Sequence, residues 1–418
     1  MPPLTPLVRG RAWIGTVALG LALLMPIPPA AGDGPSDDGP NDDAFTGVTD
    51  VVVKLTGSQT IGEINAKYGT TVLDQIAPTR TYLLDPPATT TPVQLVEDLE
   101  NDPALLLEWV EPNFADGQPE GNPTYKWDNG KPSIVGSDPT SWRRQRALTT
   151  VRAPQAHETT RGEGTVVAVL DTGFRLSHPG LSGRFTANGY DFVDDDTVPA
   201  ESQNRIDDDA DGRTDEGWGH GTHVAGVIAA VAPASKIMPL RVLDDEGTGF
   251  VWTTAEAIRW ASDRNADVIN LSLGTAADSE LLEDAVEDAE EDGAIVVASA
   301  GNDNRSQKQW PAADEDALAV ASVTPTDVRS PFSNFGAWVD VAAPGQGIIS
   351  SFPLSVYAKW DGTSMATPFV AGQAALLRSQ RPGADPDELM ARIKRTAVPA
   401  GAGLGGGRID MAASLLRR

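Results

Sequence analysis

Hydrophobic and polar positions along this chain fall into blocks whose period changes several times. Residues 12–25 are almost continuously apolar, follow Arg9 and Arg11, and stop at Pro26. Residues 32–50 then carry six aspartates and no basic residue, which reads as a solvated acidic linker. Short blocks return at Val51. Val51–Leu55 reads as a strand, Ile61–Tyr68 as a short helix, and residues 81–84 as a strand. Val93, Val96 and Leu99 recur at helical spacing, and residues 105–110 read as a further strand. The blocks predict a compact α+β unit of about 65 residues, near the lower limit for independent folding. Residues 115–141, rich in Gly, Pro and Asp, read as a second linker.

Beyond residue 142 the blocks lengthen. Residues 165–170, 268–273 and Ile295–Ser299 are continuous apolar runs, which suits parallel strands covered on both faces. Between the last two, Leu281, Leu282, Ala285, Val286 and Ala289 share one face of a helix over residues 279–292, with acids opposite and Gly293 as a stop. Alternating strands and helices predict an α/β fold with a doubly wound, mostly parallel sheet. Its functional crevice should lie beyond the carboxyl ends of the strands.

Composition narrows the chemistry. At 418 residues the chain has room for two or three domains, and 40% hydrophobic content supplies a sizeable core. A formal charge of −27 repels nucleic acid and anionic membranes. With no cysteine, disulfides, thiol nucleophiles and metal–thiolate sites are excluded, so catalysis must come from Ser, His and carboxylates. The basic residues, apolar run and Ala30–Ala31 boundary at the N-terminus predict a cleaved secretory signal over residues 1–31. That run is shorter than the roughly 20 residues a membrane span needs. A secreted protein is expected.

Three motifs stand at the ends of predicted elements. Asp171-Thr172-Gly173 follows a buried strand; Gly219-His220-Gly221-Thr222-His223-Val224-Ala225-Gly226 opens an apolar helix; Gly362-Thr363-Ser364-Met365-Ala366-Thr367-Pro368 opens another. A serine needs a base to become a nucleophile, and a helix start favours a developing oxyanion. Pro368 lacks an N–H, so the Ser364 carbonyl goes without its usual helical donor. Of the remaining histidines, His223 reads as structural, and His157 and His178 as surface residues.

These motifs, in the order Asp, His, Ser, resemble the subtilisin-like serine peptidases (subtilases) over residues 142–418. The resemblance implies a catalytic triad of Asp171, His220 and Ser364, with Asn302 of Ala300-Gly301-Asn302 donating to the oxyanion. It also implies that Gly247, Thr248 and Gly249 on one side, and Ser272, Leu273 and Gly274 on the other, pair with an extended polypeptide substrate. Gln309 is a candidate for the floor of the primary pocket. The ending Trp109-Val110-Glu111-Pro112-Asn113 resembles that of a subtilase propeptide, so residues 51–114 are expected to be an intramolecular inhibitor. A calcium-binding loop that often interrupts the chain after the His220 helix in this family is expected to be absent, because Val231-Ala232-Pro233 follows almost at once. A monomer is expected. Alternatives on the same fold are a catalytically silent peptide-binding protein, or a transpeptidase or cyclase using the same acyl-enzyme.

A different calcium site is expected in the acidic insert at residues 191–216. Asp207, Asp209, Asp211 and Asp215 occupy positions one, three, five and nine of a loop with Gly212 at six, the opening of an EF-hand-like pattern. Position twelve is Trp218, which excludes a complete EF-hand; Glu216 is the candidate replacement.

Overall fold

In the computed structural model, which describes residues 47–77, 79–119, 132–207 and 212–416, the first apolar blocks form a four-stranded antiparallel sheet. Its strands are β1 (Val51–Leu55), β2 (Thr71–Ile76), β3 (Thr81–Asp85) and β4 (Leu107–Pro112), in the order β2-β3-β1-β4. Two helices, α1 (Ile61–Tyr68) and α2 (Pro92–Glu100), join them. Glu63 accepts the Thr60 N–H at 2.9 Å to start α1, and the Thr91 hydroxyl accepts from Gln94 N–H at 3.2 Å to start α2. The period of two in β1 divides its side chains. Val51, Val53 and Leu55 pack with Ile64, Leu95 and Leu99 of the helices, while Val52 joins the core of the larger domain. Strand β2 carries no alternating pattern, because its Val72, Asp74 and Gln75 are exposed or half-exposed. The expected signal segment lies outside the described residues.

The stretch read as a second linker is partly ordered. Ala115–Gly117 forms strand β5 and Ser133–Gly136 forms β6, followed by helical turns α3 (Thr140–Arg143), α4 (Arg146–Thr150) and α5 (Ala153–Ala156). Composition hid these elements because each strand takes its partner from more than a hundred residues away.

The larger domain is built on seven strands: β7 (Val166–Asp171), β8 (Tyr190–Asp191), β9 (Lys236–Arg241), β11 (Val268–Leu271), β12 (Ile295–Ser299), β13 (Ala317–Val323) and β14 (Val341–Pro344). Between β9 and β11 runs the short strand β10 (Thr248–Phe250), which pairs with β5. The sheet order is β14-β13-β12-β11-β7-β9-β8, with every pair parallel. Alternation again decides which face each residue fills. Val167 and Val169 join the core containing α6 (His220–Val231) and α9 (Thr363–Gln380); Ala168 and Leu170 join that of α7 (Val251–Ser262) and α8 (Glu280–Glu291). Both faces are therefore covered, which is why the strands are apolar throughout. Strand β7 neighbours β9 on one side and β11 on the other, so its carboxyl end, at Asp171, is where the strand order reverses. A three-stranded antiparallel sheet, β15 (Ile348–Phe352)-β16 (Val356–Trp360)-β6, lies beside α6.

Candidate active site

Asp171 ends β7 and is buried, as is His220 at the first position of α6. His220 Nδ1 lies 2.7 Å from Asp171 Oδ1, and the same oxygen accepts the Thr172 N–H at 2.8 Å. A carboxylate can only accept, so Nδ1 carries the proton of this pair. The motif glycines make the approach possible. Gly219 caps the helix with φ +89°, and a Cβ on Gly221 would sit 2.4 Å from the Gly173 carbonyl oxygen and 3.1 Å from Asp171 Oδ1. The Trp360 ring meets the His220 ring edge-on at 5.5 Å between centroids.

Ser364 is the second residue of α9 and is buried. Its Oγ donates to the Ser272 carbonyl at 3.1 Å, and Ser272 Oγ donates to the Ser364 carbonyl, also at 3.1 Å. The second bond supplies the donor that Pro368 cannot. Ser272, singled out in the sequence only for substrate pairing, therefore also clamps the backbone of Ser364. Asn302 Oδ1 accepts from both the N–H and the hydroxyl of Thr363, each at 2.9 Å. That anchorage turns the amide's Nδ2 donor end away from Thr363. The Gln309 side chain lies against the Cα positions of Gly274 and Gly301, leaving no room there for a side chain.

The two candidate substrate strands flank β5. Thr248, Gly249 and Phe250 pair antiparallel with Gly117, Asp116 and Ala115, and Gly274 pairs with Gly117 on the opposite side. The chain thus inserts its own segment as a strand into the cleft. Upstream, Glu111 reaches the start of α8: Oε1 accepts the Ser279 hydroxyl at 2.8 Å and Oε2 the Glu280 N–H at 2.9 Å. Asn113 Oδ1 accepts the Trp252 N–H at 3.0 Å in the first turn of α7. Asp116 Oδ2 accepts the Thr254 hydroxyl at 2.6 Å. Burial pushes the Glu111 carboxyl up to about 8, outweighing its donors, and pushes Asp116 up to about 7.

His223 is structural in form. Its buried Nε2 lies 3.2 Å from both the Ile348 and the Ala358 carbonyl oxygens, and burial, with His220 nearby, pushes it down to about 3. It is a neutral donor tying α6 to β15 and β16. His178 is not a surface residue. It is buried, with Nδ1 accepting from Gly180 N–H and Nε2 3.0 Å from the Val356 carbonyl. His157 is half-buried, with Nε2 2.7 Å from the Val231 carbonyl. Neither position shows a periodic pattern, so the sequence did not reveal their burial.

In the acidic insert, Asp207 Oδ2 accepts the Gly212 N–H at 3.0 Å, closing the turn from position one to six. Asp215 Oδ1 accepts the N–H groups of Asn204 and Arg205 at 2.9 and 3.1 Å, and Asp245 Oδ2 accepts that of Asn204 at 3.0 Å. Glu246 Oε2 accepts the Glu216 N–H at 3.4 Å, while Glu216 Oε1 is buried without a hydrogen-bond partner among the described residues. Asp209 and Asp211 lie outside the described residues.

With this geometry in view, residues 162–410 match the model of the Subtilase family. The chain belongs to that family. Residues 48–113 of this subtilase match the Fervidolysin N-terminal prodomain model. Thermitase of Thermoactinomyces vulgaris is 42% identical over 271 residues, spanning 62% of this chain and 91% of thermitase. Subtilisin BL of Lederbergia lenta is 39% identical over 264 residues, 61% of this chain and 91% of that protein. Among solved structures, fervidolysin from Fervidobacterium pennivorans, described as a keratinolytic enzyme related to subtilisin, superposes with a TM-score of 0.71 at 26% identity. The match covers 88% of this chain and spans 61% of the length of fervidolysin. The subtilase is thus a subtilisin-type serine peptidase by family, preceded by a prodomain. Among its described residues no helix is long and apolar enough to cross a membrane.

Proposed function

We propose that this subtilase is a secreted serine endopeptidase that cleaves extended polypeptides through an acyl-enzyme on Ser364, restrained by its own prodomain until cut. The observation that carries the reading is the buried Asp171–His220 pair beside a cleft in which a segment of the chain already lies as a β-strand. Asp171 holds Nδ1–H of His220, so Nε2 is the basic nitrogen. Nε2 takes the Ser364 proton as Oγ adds to the scissile carbonyl, and the imidazolium that forms is stabilised by Asp171. The Asn302 amide donates to the oxyanion. The proton passes to the leaving amine, and water, activated by the same nitrogen, releases the acyl group. Residues 247–249 and 272–274 hold the substrate backbone, leaving selectivity to side-chain pockets.

The organisation we assign is a signal at 1–31, an acidic linker at 32–50, an inhibitory prodomain at 51–114, a connecting segment at 115–141 and a catalytic domain at 142–418. The prodomain reading is supported by Glu111 and Asn113, which satisfy orphan N–H groups at the starts of α8 and α7. Secretion is supported by the pattern of residues 1–31. A monomer is the assembly we assign.

Calcium fits the acidic insert. Glu216 Oε1 is a buried carboxylate oxygen with no hydrogen-bond partner among the described residues, and its neighbours Asp215, Asp245 and Glu246 are further hard oxygen donors. Asp207, Asp209, Asp211, Asp215 and Glu216 would hold a structural ion, which would offset their mutual repulsion and clamp the loop ahead of His220.

A fluorophosphonate probe tests the peptidase reading: it should label Ser364 in the processed protein. Ser364→Ala should lose peptide hydrolysis and self-processing together, by about 10⁶ in turnover, the loss seen when subtilisin is stripped of its nucleophile. Normal maturation of Ser364→Ala expressed without any other protease would refute the assignment.

A further inference from the structure

Strand β5 occupies the place assigned to a substrate strand, so the side chains it carries show what the cleft accepts. Its register is fixed. Gly117 and Gly274 exchange both backbone hydrogen bonds, at 3.1 and 2.9 Å, and Asp116 is paired with Gly249. The numbers of an antiparallel partner fall as a strand advances. Beyond Gly117 the ladder therefore runs from Gly274 toward Ser272, whose hydroxyl holds the Ser364 carbonyl. Asp116 thus lies on the amino-terminal side of the place where Ser364 acts. Its side chain is buried in a small pocket made by Leu243, Gly249 and Thr254 of α7. Oδ2 accepts the Thr254 hydroxyl at 2.6 Å, while Oδ1 is buried without a hydrogen-bond partner among the described residues. No charged group among the described residues acts on the carboxyl. The missing side chain of Gly249 opens the pocket: a Cβ there would come within 2.8 Å of Leu243 Cδ2 and the Val242 carbonyl oxygen, and 2.9 Å of Asp116 Oδ1.

We infer that Thr254 is a specificity-determining residue, and that its pocket selects polypeptides carrying asparagine at the residue paired with Gly249. The inference rests on the serine endopeptidase reading above and narrows its substrate class. The pocket offers one hydroxyl donor and no cation. Asparagine has the shape of the aspartate that fits it, and its Oδ1 can accept the Thr254 hydroxyl. The amide nitrogen then takes the place of the unpartnered Asp116 oxygen, where the Val242 carbonyl crowds the same point above Gly249. Two oxygens facing there repel, whereas an amide nitrogen is a donor facing an acceptor. An ionised aspartate loses its water and gains no counter-charge. A leucine of similar shape leaves the Thr254 hydroxyl without the acceptor it now has. The tail of the prodomain carries the acid of this shape. It fits while neutral and loses its hold when ionised, so an occupant that has to leave differs by one group from a substrate that binds over the whole pH range.

A peptide library randomised on the amino-terminal side of the cut, digested at pH 8 by the processed protein, tests this. Asparagine should be enriched at one fixed position. At that position kcat/KM for an asparagine peptide should exceed that of its leucine counterpart by about tenfold, the factor of one net hydrogen bond, and should exceed that of its aspartate counterpart as well. Thr254→Ser keeps the donor and should keep the preference. Thr254→Val keeps the shape without the donor, and should bring the asparagine-to-leucine ratio to one or below. A wild-type library with no asparagine enrichment at any position overturns the assignment and leaves the peptidase reading standing. So does a ratio in Thr254→Val equal to that of the wild type. Absence of all hydrolysis, with no fluorophosphonate label on Ser364, defeats the peptidase reading and this inference with it.

Discussion

The grip of the prodomain should weaken as pH rises, because docking buries two carboxyl groups. Glu111 has Ser279, Glu280 and Leu281 as its hydrogen-bond partners and Asp116 has Thr254, all across the interface. Burial raises Glu111 from 4.5 to about 8 and Asp116 from 3.8 to about 7 in the docked state. A carboxyl whose docked pKa is raised binds its proton more tightly when docked. Its contribution to docking is therefore fully present below the free pKa and is lost as pH rises through the docked value. Each group should weaken docking by about tenfold per pH unit across its window. The two windows overlap between pH 4.5 and about 7, where the slope should approach two logarithmic units per pH unit, and only Glu111 acts between about 7 and 8. Amide exchange in full-length Ser364→Ala gives the measurement without proteolysis. The Gly117 and Gln118 N–H groups donate to Gly274 and Gly247, so their protection, corrected for the intrinsic rate, reports docking. Protection should fall steeply from pH 5 to 8, Glu111→Gln should flatten the upper part of the profile, and Asp116→Asn the lower. A flat wild-type profile over that range would refute the reasoning.

Three further outcomes follow from the site. Asn302→Ala should lower kcat by about 10²–10³ with little change in KM, because the amide acts only on the developing oxyanion; an equal change in KM would place Asn302 in ground-state binding. Gly221→Ala should impair hydrolysis while leaving peptide binding in the cleft intact, since its methyl group would push into Gly173 and Asp171 rather than the substrate strands; unaltered kcat would show that the Asp171–His220 pair tolerates displacement. Calcium at a hundredfold excess over Kd should add about 2.7 kcal/mol of stability, so a chelator should lower Tm. Asp215→Asn combined with Glu216→Gln should lower Tm likewise and abolish the response to chelation, and an unmoved Tm in both tests leaves the insert without an ion.

What the sequence made legible and what it concealed differ in range. The α/β class and the order of the apolar strands could be read because β7, β11 and β12 are buried on both faces, and each announces that burial within a handful of residues. The neighbourhood of His220 was equally open to reading, since Gly219 and Gly221 serve the geometry within the same short window as the histidine. Strand β5 gave no such signal. Ala115, Asp116 and Gly117 have neither alternation nor apolar bulk, and their pairing is dictated by Gly247–Phe250 and Gly274, some 130 to 160 residues further along the chain. The buried His178 was missed for the same reason, because its partner carbonyl belongs to Val356.

Among the concealed elements, β5 is the one that the proposed reading makes regulatory. A strand that must leave the cleft cannot be held by a large apolar face, and β5 is held by backbone hydrogen bonds, one Asp–Thr contact and a glycine that fits where no other residue can. Such a segment costs little to displace once it is cut, since each backbone bond nets only about 0.5–1.5 kcal/mol. The sheet behind it is different. Val52, Ile76, Leu83 and Phe114 share a continuous core with Leu273, Leu281 and Val286, so the prodomain body has an apolar attachment that cutting alone does not release. Cutting and release should therefore be separate events. Cutting frees the tail covalently but leaves the body docked, and release waits on a second change, for which ionisation of Glu111 and Asp116 is the structural provision. If so, Ser364-dependent processing of the wild-type chain at pH 5 should yield a cut but inactive complex that elutes as one species, and raising the pH to 8 should separate the two pieces as peptide hydrolysis appears. Full activity at pH 5 immediately on cutting would show that the apolar attachment does not hold, and that the covalent link alone restrains the enzyme.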